Sequence, residues 1–164
     1  MKHDYDSVRR LFQEAGYDAR ITYWALASMG LFRAEFEEAL EFVEAAESLM
    51  IDSDKVLELA GPCPMPEGWR LAFFRGTTML MLKSGKDAEF WLKQAENIQP
   101  TAEGANNLGV AMAGEGKRAE AQELFVKSLE RFPGYSDAQT NRDSGTPSRI
   151  TLHPLRREPS RTDY

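Results

Sequence analysis

Few residues in the sequence have the types and spacing that catalysis requires. The stretch nearest to a phosphate-binding loop is GEGK at 114–117, but Ala111 stands where such a loop has its leading glycine, and Arg118 follows the lysine. A phosphate loop needs glycine at the first of these places, so that backbone N–H groups can surround the phosphates, and serine or threonine after the lysine. We therefore interpret 114–117 as a turn between two helices.

The remaining reactive side chains are scattered. Paired carboxylates such as Glu37 and Glu38 could serve acid–base chemistry, but their spacing is also typical of a solvated helix face. The histidines, His3 and His153, lie near opposite ends, and Cys63 is the single cysteine. An internal disulfide is excluded, and Cys63, between two prolines, is interpreted as a free thiol in a loop. We expect no enzymatic activity, no metal and no cofactor.

The composition is that of an acidic chain able to form one hydrophobic core. The sequence has 164 residues, of which 42% are hydrophobic, and a formal net charge of −6. Such a charge opposes general binding to nucleic acid or to anionic membranes. No apolar run has the length of a signal peptide or a membrane span, so we expect a cytoplasmic protein.

Apolar residues recur at helical spacing within the first 143 residues, except at 62–66, where three prolines interrupt the pattern, and no strand pattern is present. Comparison of the sequence with itself reveals a period of 33, which relates Ala72 to Ala105, Gly76 to Gly109, Met79 to Met112, Ala88 to Ala121 and Pro100 to Pro133. Small residues at a fixed period predict helix pairs that approach closely where the side chain is small. Ser136 to Gln139 forms a capping-box pattern, which predicts a further helix.

This pattern resembles the tetratricopeptide repeat family, whose motif is about 34 residues long. The stretch from Ala102 to Tyr135 carries the family's residues best, with Leu108, Gly109, Ala121, Phe125 and Pro133 at matching places. Units at 69–102 and 20–53 match less well, since Arg75 replaces the usual leucine and Gly30 falls inside a helix. A connector is expected at 54–68.

The resemblance implies an all-α fold: a right-handed superhelical stack of antiparallel helix pairs, with about three units plus capping helices, over residues 1–143. The segment 144–164 contains four arginines and two acidic residues. Its many Pro, Ser and Thr residues and few apolar ones predict a flexible basic tail.

In the family, the first helix of each unit lines a concave groove. Carried over by motif position, the groove candidates are Trp24, Leu31, Phe32, Arg70, Phe73, Thr77, Leu80, Asn106, Asn107 and Val110. A mostly apolar groove with a few polar points suits a peptide. Alternatively, Trp24, Leu31 and Phe32 pack beneath the first helix or the connector.

Some family members grip a C-terminal carboxylate, and Asn107 occupies one position of that clamp. Trp24 and Ser28 replace the lysine and asparagine that complete it. We therefore do not predict a carboxylate clamp, and we interpret Asn107 as a residue that bonds neighbouring backbone.

The resemblance and the scattered reactive residues together predict a non-catalytic adaptor, scaffold or chaperone that holds a protein or peptide segment. A small acidic chaperone of the secretion type is one alternative. Another is a scaffold that assembles into homo-oligomers through the ends of the stack or the tail.

Overall fold

The structure, a computed structural model, describes residues 3–49 and 66–153, and all regular secondary structure in these ranges is helical. The eight helices are α1 (His3–Glu14), α2 (Ala19–Arg33), α3 (Phe36–Ser48), α4 (Glu67–Met81), α5 (Gly85–Ile98), α6 (Ala102–Gly114), α7 (Arg118–Arg131) and α8 (Ser136–Asp143). The prediction of an all-helical chain is confirmed for these residues. Cys63 and most of the expected connector lie outside them.

Local sequence explains where several helices begin and end. The Asp18 side chain accepts a hydrogen bond from the Arg20 N–H at the start of α2, and Thr101 caps α6 through the Gly104 N–H. Such caps satisfy N–H groups that have no partner within the helix. Two predictions need correction. The connector ends at Pro66, because 67–68 belong to α4, and α8 begins after Tyr135 without a side-chain cap.

Consecutive helices pack in pairs: α2 with α3, α4 with α5, and α6 with α7. Two or three residues join the members of each pair, so the paired helices run antiparallel. Helices α2, α4 and α6 also contact one another in succession, while α1 packs on α2 and α8 packs on α6 and α7. The first member of each pair therefore lies beside the first member of the next.

Small residues occupy the crossing points of the helix pairs. A Cβ atom at Gly109 would lie 2.6 Å from Cε1 of Phe125, and Ala121 is buried in the same pair. In the N-terminal pair, a Cβ atom at Gly30 would lie 2.9 Å from Cβ of Ala39. The predicted close approach of α6 and α7 is confirmed. The glycine inside α2, which lowers helix propensity by about 1 kcal/mol, permits equally close packing of α2 and α3.

One hydrophobic cluster connects the helix pairs, from Tyr5 in α1 to Phe125 in α7. A smaller cluster joins Ala102, Tyr135 and Ala138, and so attaches α8 to the start of α6. Within the described part of the chain, no helix is long and apolar enough to cross a membrane.

Candidate functional site

Five polar side chains on three helices form the site, which we call the asparagine site. Thr77 belongs to α4, Asn106 and Asn107 to α6, and Asp137 and Asn141 to α8. Both asparagines of α6 and Asn141 are completely buried, as is Thr77. Burying an amide costs free energy unless it is hydrogen-bonded, so the partners of these groups are informative.

The chain itself supplies the partners, because it reverses direction after α8 and returns across the helices. Ser144 Oγ accepts from the Thr146 N–H at 3.1 Å, and Asn141 Oδ1 accepts from the Ser148 N–H at 3.0 Å. These bonds hold a turn, after which residues 149–153 reach α6 and α4. The flexible tail predicted from Ser144 onward thus differs from the structure through residue 153. The remainder, 154–164, lies outside the described residues.

Asn107 pairs with both backbone groups of one residue of this segment. Its Nδ2 donates to the Thr151 carbonyl at 2.8 Å, and its Oδ1 accepts from the Thr151 N–H at 2.8 Å. A side-chain amide and a peptide group have the same donor and acceptor, so the pair resembles one step of a β-ladder. Sequence reasoning assigned Asn107 to neighbouring backbone, whereas its partner is 44 positions away.

Asn141 repeats this arrangement two residues earlier in the segment. Its Nδ2 donates to the Arg149 carbonyl at 2.7 Å, and its Oδ1 accepts from the Arg149 N–H at 2.8 Å. Backbone groups of alternate residues face the same side of an extended chain. Residues 149 and 151 therefore present equivalent edges to α8 and α6.

Asn106 and Thr77 connect the two asparagine pairs to the helices. Asn106 Nδ2 donates to the Arg149 carbonyl at 2.9 Å, and its Oδ1 accepts from Asn141 Nδ2 at 2.9 Å. Asn107 Nδ2 also donates to Thr77 Oγ1 at 3.0 Å. A network of this kind holds each carboxamide in one orientation.

The segment continues to His153, whose ring packs on aromatic side chains. Its centroid lies 4.9 Å from that of Phe32 in α2 and 6.3 Å from that of Phe74 in α4. Burial among these rings lowers the pKa of His153, because removal from water disfavours the imidazolium. Phe74 precedes Asn107 by 33 positions, and Asn141 follows Asn107 by 34. Corresponding positions of α4, α6 and α8 therefore contact residues 153, 151 and 149.

The structure divides the predicted groove residues into two groups. Thr77, Asn106 and Asn107 meet in the asparagine site, and Phe32, which is 75% exposed, lies beside His153. The other six do not meet there. Trp24, Leu31, Phe73 and Val110 are buried in the hydrophobic cluster, Leu80 is half-buried against it, and Arg70 is half-buried on α4.

Sequence reasoning missed Phe74, Asp137, Asn141 and Thr151. One signal could have identified Asn141, because it follows Asn107 by 34 positions, which is the length of the resembled motif and one more than the period of 33. Thr151 carries no signal, since it belongs to a segment with no periodic pattern.

No protein-family model matches the chain, and no curated protein matches its sequence. Across 3–49 and 66–153, no group of His, Cys, Asp and Glu residues is arranged to hold a metal ion. The site contains amide and hydroxyl groups whose positions allow hydrogen bonds to the backbone of an extended segment.

Proposed function

We propose that the protein is a non-catalytic, peptide-binding helical-repeat module of the tetratricopeptide type. The concave groove of this proposal runs across the first helices of the pairs, α2, α4 and α6, and onto α8. The succession of close helix pairs at a period of 33 supports the repeat assignment. In this proposal the protein acts as an adaptor, scaffold or chaperone for a partner that contributes an extended segment.

The observation that carries the proposal is the double hydrogen bond of Asn107 with the backbone of Thr151. A carboxamide that bonds a backbone N–H and C=O recognises the conformation of the bound chain and not its side chains, because all residues except proline have both groups. Asn141 and Asn106 add bonds two residues away, so a chain must be extended to satisfy them together.

In this proposal, the site selects among peptide sequences at the positions where a side chain of the bound segment is buried against the helices. Thr151 is 7% exposed, and its Oγ1 lies 3.4 Å from Asn106 Nδ2 and 3.5 Å from Asp137 Oδ2. Arg149, two residues earlier, is exposed. The central position therefore favours a small hydroxyl side chain, whereas the position two residues before it tolerates a large one.

The test uses a fluorescein-labelled peptide with the sequence of residues 145–153 and fluorescence anisotropy with the full chain. Because residues 149–153 of the chain itself make these bonds, Asn107→Ala is compared in chains that also carry Thr151→Pro, which lacks the N–H that donates to Asn107 Oδ1. In these chains we expect Asn107→Ala to weaken binding at least about tenfold, the loss typical of removing two buried hydrogen bonds. Asn97→Ala is the matched control, because Asn97 is exposed on α5. Circular dichroism checks that each variant is folded. Binding to the Thr151→Pro chain that is unaffected by Asn107→Ala would contradict the assignment of the site.

A further inference from the structure

We infer that residues 149–153 are an internal ligand of the asparagine site, which a partner peptide of the same bonding pattern must displace. This inference rests on the proposed function. Beyond that function, it specifies the partner as an extended segment with a small hydroxyl residue at the place of Thr151. It also identifies residues 149–153 as a competitor for the site within the same chain.

The hydrogen bonds identify the segment as a ligand and not as a structural part of a helix pair. Every bond from Asn107 and Asn141 to the segment ends on its backbone, and the Thr151 side chain adds only a long contact to each of Asn106 and Asp137. An external chain of suitable sequence could make the same bonds. Ile150 packs half-buried against the hydrophobic cluster, as an apolar side chain of an external segment could, and the small-residue crossings of the helix pairs do not include 149–153.

The turn after α8 favours occupation by the protein's own segment over exchange with a second copy. Asn141 bonds Ser148 and Arg149, only 7 and 8 positions away, so the turn is closed locally. A short connection holds a tethered ligand at an effective concentration of about millimolar or more. An external peptide therefore competes against a partner that never diffuses away.

Competition has a quantitative consequence. If the site is open for a fraction f of the time, the apparent dissociation constant rises by 1/f. A site open about 5% of the time would bind an external peptide about 20-fold more weakly than a permanently open one. Weakening the internal segment without touching the helices should therefore strengthen external binding.

Thr151→Pro weakens the internal segment in this way. Proline has no N–H to donate to Asn107 Oδ1, and the substitution changes none of the five side chains of the asparagine site. The probe is again the labelled 145–153 peptide, titrated into the full parent chain and the full Thr151→Pro chain. We expect the variant to bind at least about tenfold tighter, by the relation for a partly occupied site. Asn107→Ala added to Thr151→Pro should abolish that gain. A probe that itself carries proline at the place of Thr151 should bind neither chain.

Equal, Asn107-dependent affinities for the parent and Thr151→Pro would overturn the internal ligand and leave the proposed function standing. No binding to either chain would instead overturn the proposed function. Hydrogen exchange of the Thr151 amide, followed by NMR, tests the internal ligand in either case. We expect slow exchange in the parent and fast exchange in Asn107→Ala. Fast exchange in the parent, or protection that depends on protein concentration as exchange between copies requires, would overturn it.

Discussion

A Cβ atom at Gly76 would lie 2.7 Å from Cγ and 3.0 Å from the backbone nitrogen of Leu92. The second contact decides what a substitution does, because a backbone nitrogen cannot move aside as the end of a flexible side chain can. Leu92 is also completely buried in the cluster that joins the helix pairs. Helices α4 and α5 can therefore approach this closely only because residue 76 is a glycine, which has a hydrogen atom in place of a side chain.

Gly76→Ala should destabilise the protein by up to about 2 kcal/mol. Overpacking costs about 1–3 kcal/mol, and the better helix propensity of alanine offsets about 1 kcal/mol of it. Gly114→Ala is the matched control, since Gly114 ends α6 with nothing within 4 Å of its Cβ position. Urea unfolding of both variants measures the difference. A stabilised Gly76→Ala variant would show that the pair is not limited by this contact.

Arg75, which replaces the leucine usual in the resembled motif, joins three helices. Its Nη1 lies 2.6 Å from Glu47 Oε2 in α3, and its Cζ lies 4.6 Å from the centroid of the Trp91 ring in α5. The guanidinium can do both because it is planar and carries several donors. A charged residue at a packing position is thus accommodated by a partner on each side.

A double-mutant cycle between Arg75→Met and Glu47→Gln should give a coupling free energy of about 0.5–1 kcal/mol, since the pair is only partly buried. Glu44→Gln is the comparison, because Glu44 Oε1 is 3.4 Å from Arg75 Nη2 and more exposed. We expect weaker coupling for Glu44. Thermal unfolding in low and high salt provides the measurement, and coupling that grows with salt would contradict an ionic contribution.

The helices and their small crossing residues could be predicted because each depends on local spacing. Gly109 and Ala121 recur with the period of the unit, so their burial follows from the sequence. Gly30 shows the limit of that reasoning. It contacts Ala39, which holds the unit position of Ala88 and Ala121, but it lies one turn further along its helix than the motif glycine would. The one-turn displacement of this glycine is visible only in the structure, because it depends on how α2 packs against α3.

The asparagine site could be predicted only in part, because no local sequence pattern indicates that residues 149–151 pair with side chains of α6 and α8. Asn106, Asn107 and Thr77 were identified by motif position. Thr151 belongs to a stretch whose composition is typical of mobile tails, and its order comes from bonds to side chains far away in the sequence. Burial of Trp24 and Phe73 likewise depends on neighbouring helices, which a motif position does not specify.

Glu89 joins the second and third helix pairs and should make stability depend on pH. Its carboxylate accepts from Lys117 Nζ and from Lys93 Nζ, each at 2.6 Å, and these bonds lower its pKa. A carboxylate with a lowered pKa contributes stability above its ordinary pKa, and that contribution is lost as the pH falls through the lowered value.

Glu89→Gln should therefore flatten the dependence of unfolding free energy on pH below the ordinary pKa of a glutamate, which is about 4.3. At about pH 7 it should cost about 1 kcal/mol, the value of a charge-assisted hydrogen bond that is partly screened. Glu123→Gln on the exposed face of α7 serves as the control. Denaturant melts at several pH values give the comparison, and parallel curves for parent and Glu89→Gln would refute the role of Glu89.

His153 should report on the internal segment through its titration. Burial against Phe32 and Phe74 keeps its pKa below the ordinary value of about 6.5. The neutral ring is therefore the form that packs. Docking of the segment is complete above the ordinary pKa and weakens as the pH falls below it, because the released ring takes up a proton that the packed ring does not.

An NMR titration of the imidazole Cε1 proton measures this pKa, and His3→Gln identifies which of the two histidine signals belongs to His153. Asn107→Ala, which removes both bonds to Thr151, should raise the pKa of His153 toward about 6.5 because the ring returns to water. The Thr151 amide shift should move with the same midpoint in the parent. A parent His153 that titrates at or above the ordinary value would mean that its ring is solvated and that the end of the segment does not pack on α2 and α4.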